Sequence, residues 1–365
     1  MPTVPILELA AEVAAERPDV VLVATRGPQA RVILRELARL DPRPVLVSGL
    51  PGISVPATRK ALYFRHQADL FVIHSHREVR EFRALAARNG WSRSIALASL
   101  PFAGGDGIPE PAEPGGTDLV FAVQSIVPAE PAERRRIARM LLRAAEACPE
   151  RRVVVKVRAV AGERQTHDEA HPIPELIAAE LAADGRPMPS NLVISSGSMA
   201  AALDTAEGLV TVSSTAAIEA IARGIPVIAL DTFGVSDALI NPVFTGSGLF
   251  AGEDDVVGRR FRHPSPRWLY DDYFHPVGDD DLHQRIAELV AARRAGELPP
   301  REALPVAGGA MRLRWQRGRA FPGSERSIRG VMVAAVGHPA RAVVVVSRKL
   351  TKPIRVRLHP GDQTP

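Results

Sequence analysis

A single cysteine, Cys148, occurs among 365 residues, so neither a disulfide framework nor a cysteine-rich zinc site is open to this chain. Its place at the end of a helical run, just before Pro149, reads as packing. Lysine is nearly as scarce, with four against 42 arginines, and only Lys60 and Lys156 precede residue 349. That bias, with abundant Ala and Pro, is typical of a high-GC bacterial genome and makes each lysine worth attention. No apolar run approaches the ~20 residues of a membrane-spanning helix. The apolar start at 6–15 carries two glutamates and no basic residue ahead of it, unlike a signal peptide, which makes the cytoplasm the expected location. A Walker A pattern, a His-Glu-x-x-His pair, metal-ligand spacing and internal repeats are all missing from the sequence.

The net charge of +5 misleads. Residues 301–365 hold 13 Lys/Arg against 3 Asp/Glu, and the other 300 residues are net acidic. The main body therefore lacks the footprint of a nucleic-acid binder, and no nucleic acid is expected as a partner. The basic excess is read as a solvated extension, with a peripheral contact to anionic lipid at the inner membrane face as the alternative. Apolar runs at 342–347 and 354–358 could be strands.

Short apolar runs alternate with helix-period segments throughout, which predicts an α/β protein with parallel sheets. Runs at 20–24, 44–48, 70–73 and 94–98 build one Rossmann-like domain over 1–102. A Gly/Pro/Glu-rich stretch at 103–116 reads as a linker. A second alternation over 117–300 has strands at 118–124, 152–157, 192–195, 209–212 and 226–230, and a helix at 280–294 is expected to close it. Residues 301–365 form the basic extension. The chain opens on a helix near 5–16, so the first sheet is expected either to lack an initial strand or simply to have one strand fewer.

The segment richest in chemistry runs from Val210 to Asp231. Ser213, Ser214 and Thr215 form a hydroxyl-rich turn at the start of a short helix, a location where free backbone N–H groups and the helix dipole favour an anion. Hydroxyls there alone more often make an ordinary N-cap. Glu219 shifts the balance toward a ligand. It lies four residues after Thr215, hence on the same face about 6 Å further along, where a carboxylate could accept from both hydroxyls of a ribose. A Gly224-Ile225-Pro226 turn follows.

Lys156 and Arg158 alternate at the end of a strand and could both meet a phosphate, or be surface cations. His74 and His76 follow the 70–73 strand and suit a general base for a hydroxyl group, unless they only belong to a capping loop in which Ser75 caps the next helix. Gly49 and Gly52 could let a substrate approach the backbone closely, or form a plain turn. Gln124 and Asp231 end strands of the second domain, on the side where open α/β sheets bind ligands. His167, His171 and His275 occupy loops and carry no firmer assignment.

The Glu219 helix with its Gly224-Ile225-Pro226 turn resembles the donor-binding helix of GT-B glycosyltransferases. The double-hydroxyl turn resembles the serine motif of capsule Kdo transferases and bacterial sialyltransferases. As a layout over roughly 20–295, the chain resembles an actinobacterial family of GT-B glycosyltransferases related to surface-polysaccharide enzymes. Arg158 stands where the Kdo and sialyl group has a histidine, and the short acidic motif of sialyltransferases is not visible.

The resemblance implies two Rossmann-like domains facing a cleft. It also implies a nucleotide sugar as donor substrate, a saccharide or lipid-linked acceptor, and no metal or other cofactor. A sugar-nucleotide 2-epimerase, a glycerophosphotransferase of the teichoic-acid type and a non-catalytic nucleotide-sugar-binding subunit remain as alternatives.

Overall fold

Apolar runs of four or five residues with no polar alternation belong to strands covered on both faces. The computed structural model, which describes residues 4–103, 108–157, 169–304 and 309–322, shows such strands in two parallel sheets. The first domain runs α1 (Leu9–Glu16), β1 (Val20–Leu22), α2 (Gly27–Leu37), β2 (Val45–Gly49), α3 (Arg59–Phe64), β3 (Leu70–Ile73), α4 (His76–Arg88) and β4 (Ile95–Leu97). Its four strands lie in sequence order, β1-β2-β3-β4.

The second domain runs β5 (Asp118–Ala122), α5 (Pro131–Ala147), β6 (Val153–Lys156), α6 (Ile173–Ala183), β7 (Leu192–Ser195), α7 (Met199–Leu203) and β8 (Ala206–Thr211). It continues with α8 (Ala216–Ala222), β9 (Val227–Leu230), β10 (Phe250–Ala251), α9 (Glu253–Val257) and α10 (Pro266–Asp271). Its order is β10-β9-β8-β5-β6-β7. That is the doubly wound arrangement of a dinucleotide-binding sheet, and the direction of winding reverses between β5 and β8.

Local chemistry sets the boundaries. Ser75 caps α4, its Oγ accepting from Glu78 N at 3.1 Å, and Thr58 caps α3 in the same way, contacts worth about 1 kcal/mol each. In α5 the residues Ile137, Leu141 and Ala144 are buried at helical spacing and face α6 and α9. Gly224 has φ +71°, and a Cβ there would lie 2.3 Å from Glu110 O. The part of the linker after residue 107 runs against this turn, with Ala112 N donating to Gly224 O at 3.0 Å.

Two sequence expectations are corrected. The helix at 280–294, α11 (Leu282–Arg294), does not close the second domain. It crosses back, and Leu282, Ile286, Leu289 and Val290 pack on Val45, Val47, Leu70, Val72 and Ala96 of the first sheet. Its apolar stripe at i, i+4, i+7 matches the apolar face that these strands present, a long-range fit that periodicity alone cannot reveal.

The start of the basic extension is docked as well. Arg301 pairs with Asp69 at 2.6 Å, and α12 (Gly309–Ala320) lies on α2, with Gln29 Nε2 donating to Ala320 O at 3.2 Å. The runs at 342–347 and 354–358 lie outside the described residues.

Candidate functional site

All strands within each sheet are parallel, so the residues after each strand gather at one edge. In the second sheet Gln124 follows β5 and the Ser213–Thr215 turn follows β8, so the two segments meet at the point where the winding reverses. Open α/β sheets bind ligands in that crevice.

Gln124 fixes the turn. Its Oε1 accepts from Ser213 N at 2.7 Å, and its Nε2 donates to Ser213 Oγ at 3.0 Å. Ser214 N donates to Thr211 Oγ1 at 3.2 Å, and Ala216 N to Ser214 Oγ at 3.2 Å. The expectation of several free amides is therefore corrected: the side chains of Gln124, Thr211 and Ser214 already satisfy those of residues 213, 214 and 216. Within the turn, Thr215 N and Thr215 Oγ1 are the groups with no hydrogen-bond partner among the described residues. Ser213 is buried into shaping the turn, whereas Gln124 and Thr215 are half-buried.

Glu219 lies on the Thr215 side of α8, with its side chain 23% exposed and Arg223 at 3.7 Å. It is neither sealed in the core nor fully solvated. Lys156 ends β6, beside β5. Its Nζ donates to Val157 O at 2.6 Å, it meets no carboxylate among the described residues, and burial lowers its pKa. A desolvated cation with only a carbonyl for company is the electrostatic complement of an anion. Arg158 and His167 lie outside the described residues. Asp231 is exposed at the end of β9.

The loop after β2 carries the first domain to this turn. Gly52 has φ +74°, and a Cβ there would stand 2.7 Å from Thr215 Oγ1, so only glycine permits the approach. Val55, three residues on, is buried in the core of the second domain. Gly49, at the end of β2, instead packs against Val72 O, where a Cβ would stand at 2.8 Å.

His74 anchors the base of the same loop. Its Nε2 lies 2.8 Å from Leu50 O and its Nδ1 2.8 Å from Ala98 O. With both ring nitrogens against carbonyls, neither is open to receive a proton from a substrate. His76 Nε2 meets Asp279 Oδ2 at 2.9 Å, and its ring packs on Tyr270 and His275. A carboxylate behind an imidazole orients it for proton transfer, which leaves His76 as the histidine of the pair with the geometry of a base.

Sequence reasoning missed Glu78. It is fully buried and accepts from Ser54 N at 2.7 Å, His74 N at 2.9 Å and the Tyr273 hydroxyl at 2.7 Å. Burial pushes its carboxyl pKa up and that of the Tyr273 phenol well up. The signal was present as Ser75-x-x-Glu78, a capping-box spacing. In the structure Glu78 reaches past the cap to His74 and across to the second domain. Arg77 Nη2, Arg80 Nη2 and His275 Nε2 tie the same interface together, to Pro242 O at 3.0 Å, Asp271 at 2.6 Å and Asp280 at 2.8 Å.

Beside Glu78 lies Asp272, buried with an unpartnered Oδ1 and a pKa pushed by burial to about 8. Its folded pKa exceeds the ordinary 3.8, so between those values the folded chain holds a proton that the unfolded chain has released. Stability from this group is full below the unfolded value and lost as pH rises through the folded one. Asp272→Asn should flatten that slope and raise the urea midpoint near pH 8 relative to wild type. Equal slopes for the two proteins would refute the assignment.

Two Rossmann-like domains presenting the loops of one to the switch point of the other constitute the GT-B architecture. The sequence model of the family described as "Putative glycosyltransferase (DUF6716)" matches residues 1–289, and the chain belongs to that family. A search of the curated proteins gives no match.

Among solved structures, the chain is similar to UDP-GlcNAc 2-epimerase of Methanocaldococcus jannaschii, with 11% identity, TM-score 0.45, and 78% of this chain and 79% of that one covered. It is similar to S. aureus MnaA solved with UDP, at 12% identity, TM-score 0.48, and coverage of 80% and 78%. The pneumococcal O-GlcNAc transferase GtfA, in complex with UDP and GlcNAc, gives 15%, 0.41, and coverage of 80% and 55%.

Proposed function

We propose that this chain transfers a sugar from a nucleotide-activated donor to a saccharide or lipid-linked acceptor in surface-glycoconjugate synthesis. The observation that carries this reading is the switch-point turn. Thr215 offers an amide and a hydroxyl, Glu219 lies one helical turn deeper, and the buried Lys156 ends the strand on the other side of β5. In this reading donor phosphate sits at Thr215 with Lys156 facing its charge, and Glu219 accepts from the ribose hydroxyls. Arg158 adds a second cation, and Asp231 borders the sugar. Gln124 and Ser213 act by holding the turn. The Gly52 loop, pinned to His74 and Glu78, forms the acceptor side, and His76, oriented by Asp279, removes the acceptor proton.

A panel of nucleotides and nucleotide sugars in thermal unfolding tests the reading. The true donor, at a hundred times its dissociation constant, should add about 2.7 kcal/mol of stability. CMP would place the enzyme with the Kdo- and sialyltransferase group, whereas UDP or GDP would place it elsewhere. Donor consumption without any acceptor product would favour an epimerase. Nucleotide binding without turnover would favour a sensor subunit.

A further inference from the structure

The second domain buries one arginine to which the transfer reaction assigns no role. Arg134 lies near the start of α5, with its side chain 3% exposed. Burial lowers its pKa to about 10, so it stays charged at neutral pH. All three of its side-chain nitrogens are engaged. Nη1 donates to Gln124 O at 3.0 Å and to Pro128 O at 3.3 Å, Nε donates to His171 O at 2.6 Å, and Nη2 pairs with Glu169. Val127, Ile137, Ile173 and Val212 wall the same space.

These contacts join two segments beyond the carboxyl ends of neighbouring strands. Residues 124–128 follow β5, and residues 169–171 lie between β6 and α6. The pairing of β5 with β6 runs to Ala122 and Lys156, and Val123 N adds a bond to Lys156 O at 3.0 Å. Gln124 comes next, past the paired part of the strand. Arg134 holds its backbone carbonyl, while its side chain holds Ser213 through both polar atoms. A buried guanidinium is costly, and one carboxylate offsets only part of that cost. Reaching three carbonyls and a carboxylate in different directions requires its planar fork of donors.

On the reading of the Ser213–Thr215 turn as the donor site, we propose that Arg134 is its positioning residue. By fixing the Gln124 backbone it sets where Gln124 holds Ser213, and hence where Thr215 presents its amide and hydroxyl. Arg134 is itself too buried to meet a ligand and acts through Gln124. It also binds the 169–171 segment to the same point, so that segment and the loop after β5 keep a fixed relation.

Hydrogen exchange and nucleotide titration on the full chain test this in wild type, Arg134→Lys, Gln124→Ala and the double variant. Lysine keeps a charge for Glu169 but, as a single ammonium, cannot span both segments. In the unliganded protein the Ser213 amide should exchange about tenfold faster in Arg134→Lys, the scale of one weakened hydrogen bond, with the β8 amides unchanged. The double variant should exchange no faster at Ser213 than Gln124→Ala alone, because both substitutions act on one contact. A residue that only supports the fold would speed β8 and Ser213 together, and the two effects would multiply. CMP, UDP and GDP are then titrated. The dissociation constant of whichever binds wild type should rise about tenfold in Arg134→Lys, and no further once Gln124→Ala is present.

If none of the three binds wild type while exchange follows the expected cycle, the donor reading fails and the placement of the turn by Arg134 stands. Unchanged Ser213 exchange in Arg134→Lys, multiplying effects in the double variant, or faster exchange with an unchanged dissociation constant overturns the proposal. Should the lysine variant not fold, Arg134→Gln/Glu169→Gln removes both charges together and takes its place. Loss of the fold there too would make Arg134 a core residue and also overturn the proposal.

Discussion

Replacing Glu78 with alanine should lower stability by about 3–5 kcal/mol, the scale set by breaking a buried charged network. Three donors, Ser54 N, His74 N and Tyr273 Oη, converge on this one carboxyl group. Truncation leaves the buried Tyr273 hydroxyl and two half-buried amides unpaired, at up to about 1–3 kcal/mol apiece before relaxation. The effect should also spread to function. The Ser54 contact holds the loop that brings Gly52 against Thr215, so activity should fall further than unfolding accounts for. Urea unfolding and turnover measured well below the midpoint check the two parts separately. A loss under about 1 kcal/mol would mean that the interface is not organised around Glu78.

The second large effect has opposite signs in stability and activity. Lys156→Met removes a buried ammonium that has only a carbonyl partner and replaces it with an apolar chain of similar length. Buried charges exchanged for well-packed apolar groups commonly leave stability unchanged or raise it. If Lys156 faces the donor phosphate, transfer should nonetheless fall about 100-fold or more, the scale of losing one aligned electrostatic contact. Thermal unfolding and turnover on the same preparation give both signs at once. A stable variant with full activity would remove Lys156 from the site.

The alternating architecture was legible where strands are short apolar runs and a long helix has a clear face, as in β3, β5 and α5. The hydroxyl turn and Glu219 were legible for a local reason: they lie within one strand–turn–helix unit. What could not be read is what depends on contacts far apart in sequence. Periodicity showed that α11 is a helix but not which sheet its stripe would meet. Ser75-x-x-Glu78 looks like a cap, and only the fold brings Tyr273 to Glu78 across 195 residues. His74 looked like a free imidazole until the ends of β2 and β4 placed carbonyls on both of its nitrogens. Ser213 looked like a phosphate ligand, yet a glutamine 89 residues earlier already holds it.

The claim on which the rest depends is that the face of α8 shared by Thr215 and Glu219 receives the nucleotide. Its most direct measurement is donor-induced stabilisation of Glu219→Ala beside wild type, using whichever nucleotide sugar stabilises the latter. The account predicts an intact fold whose midpoint the nucleotide no longer moves. A variant stabilised as strongly as wild type would contradict it.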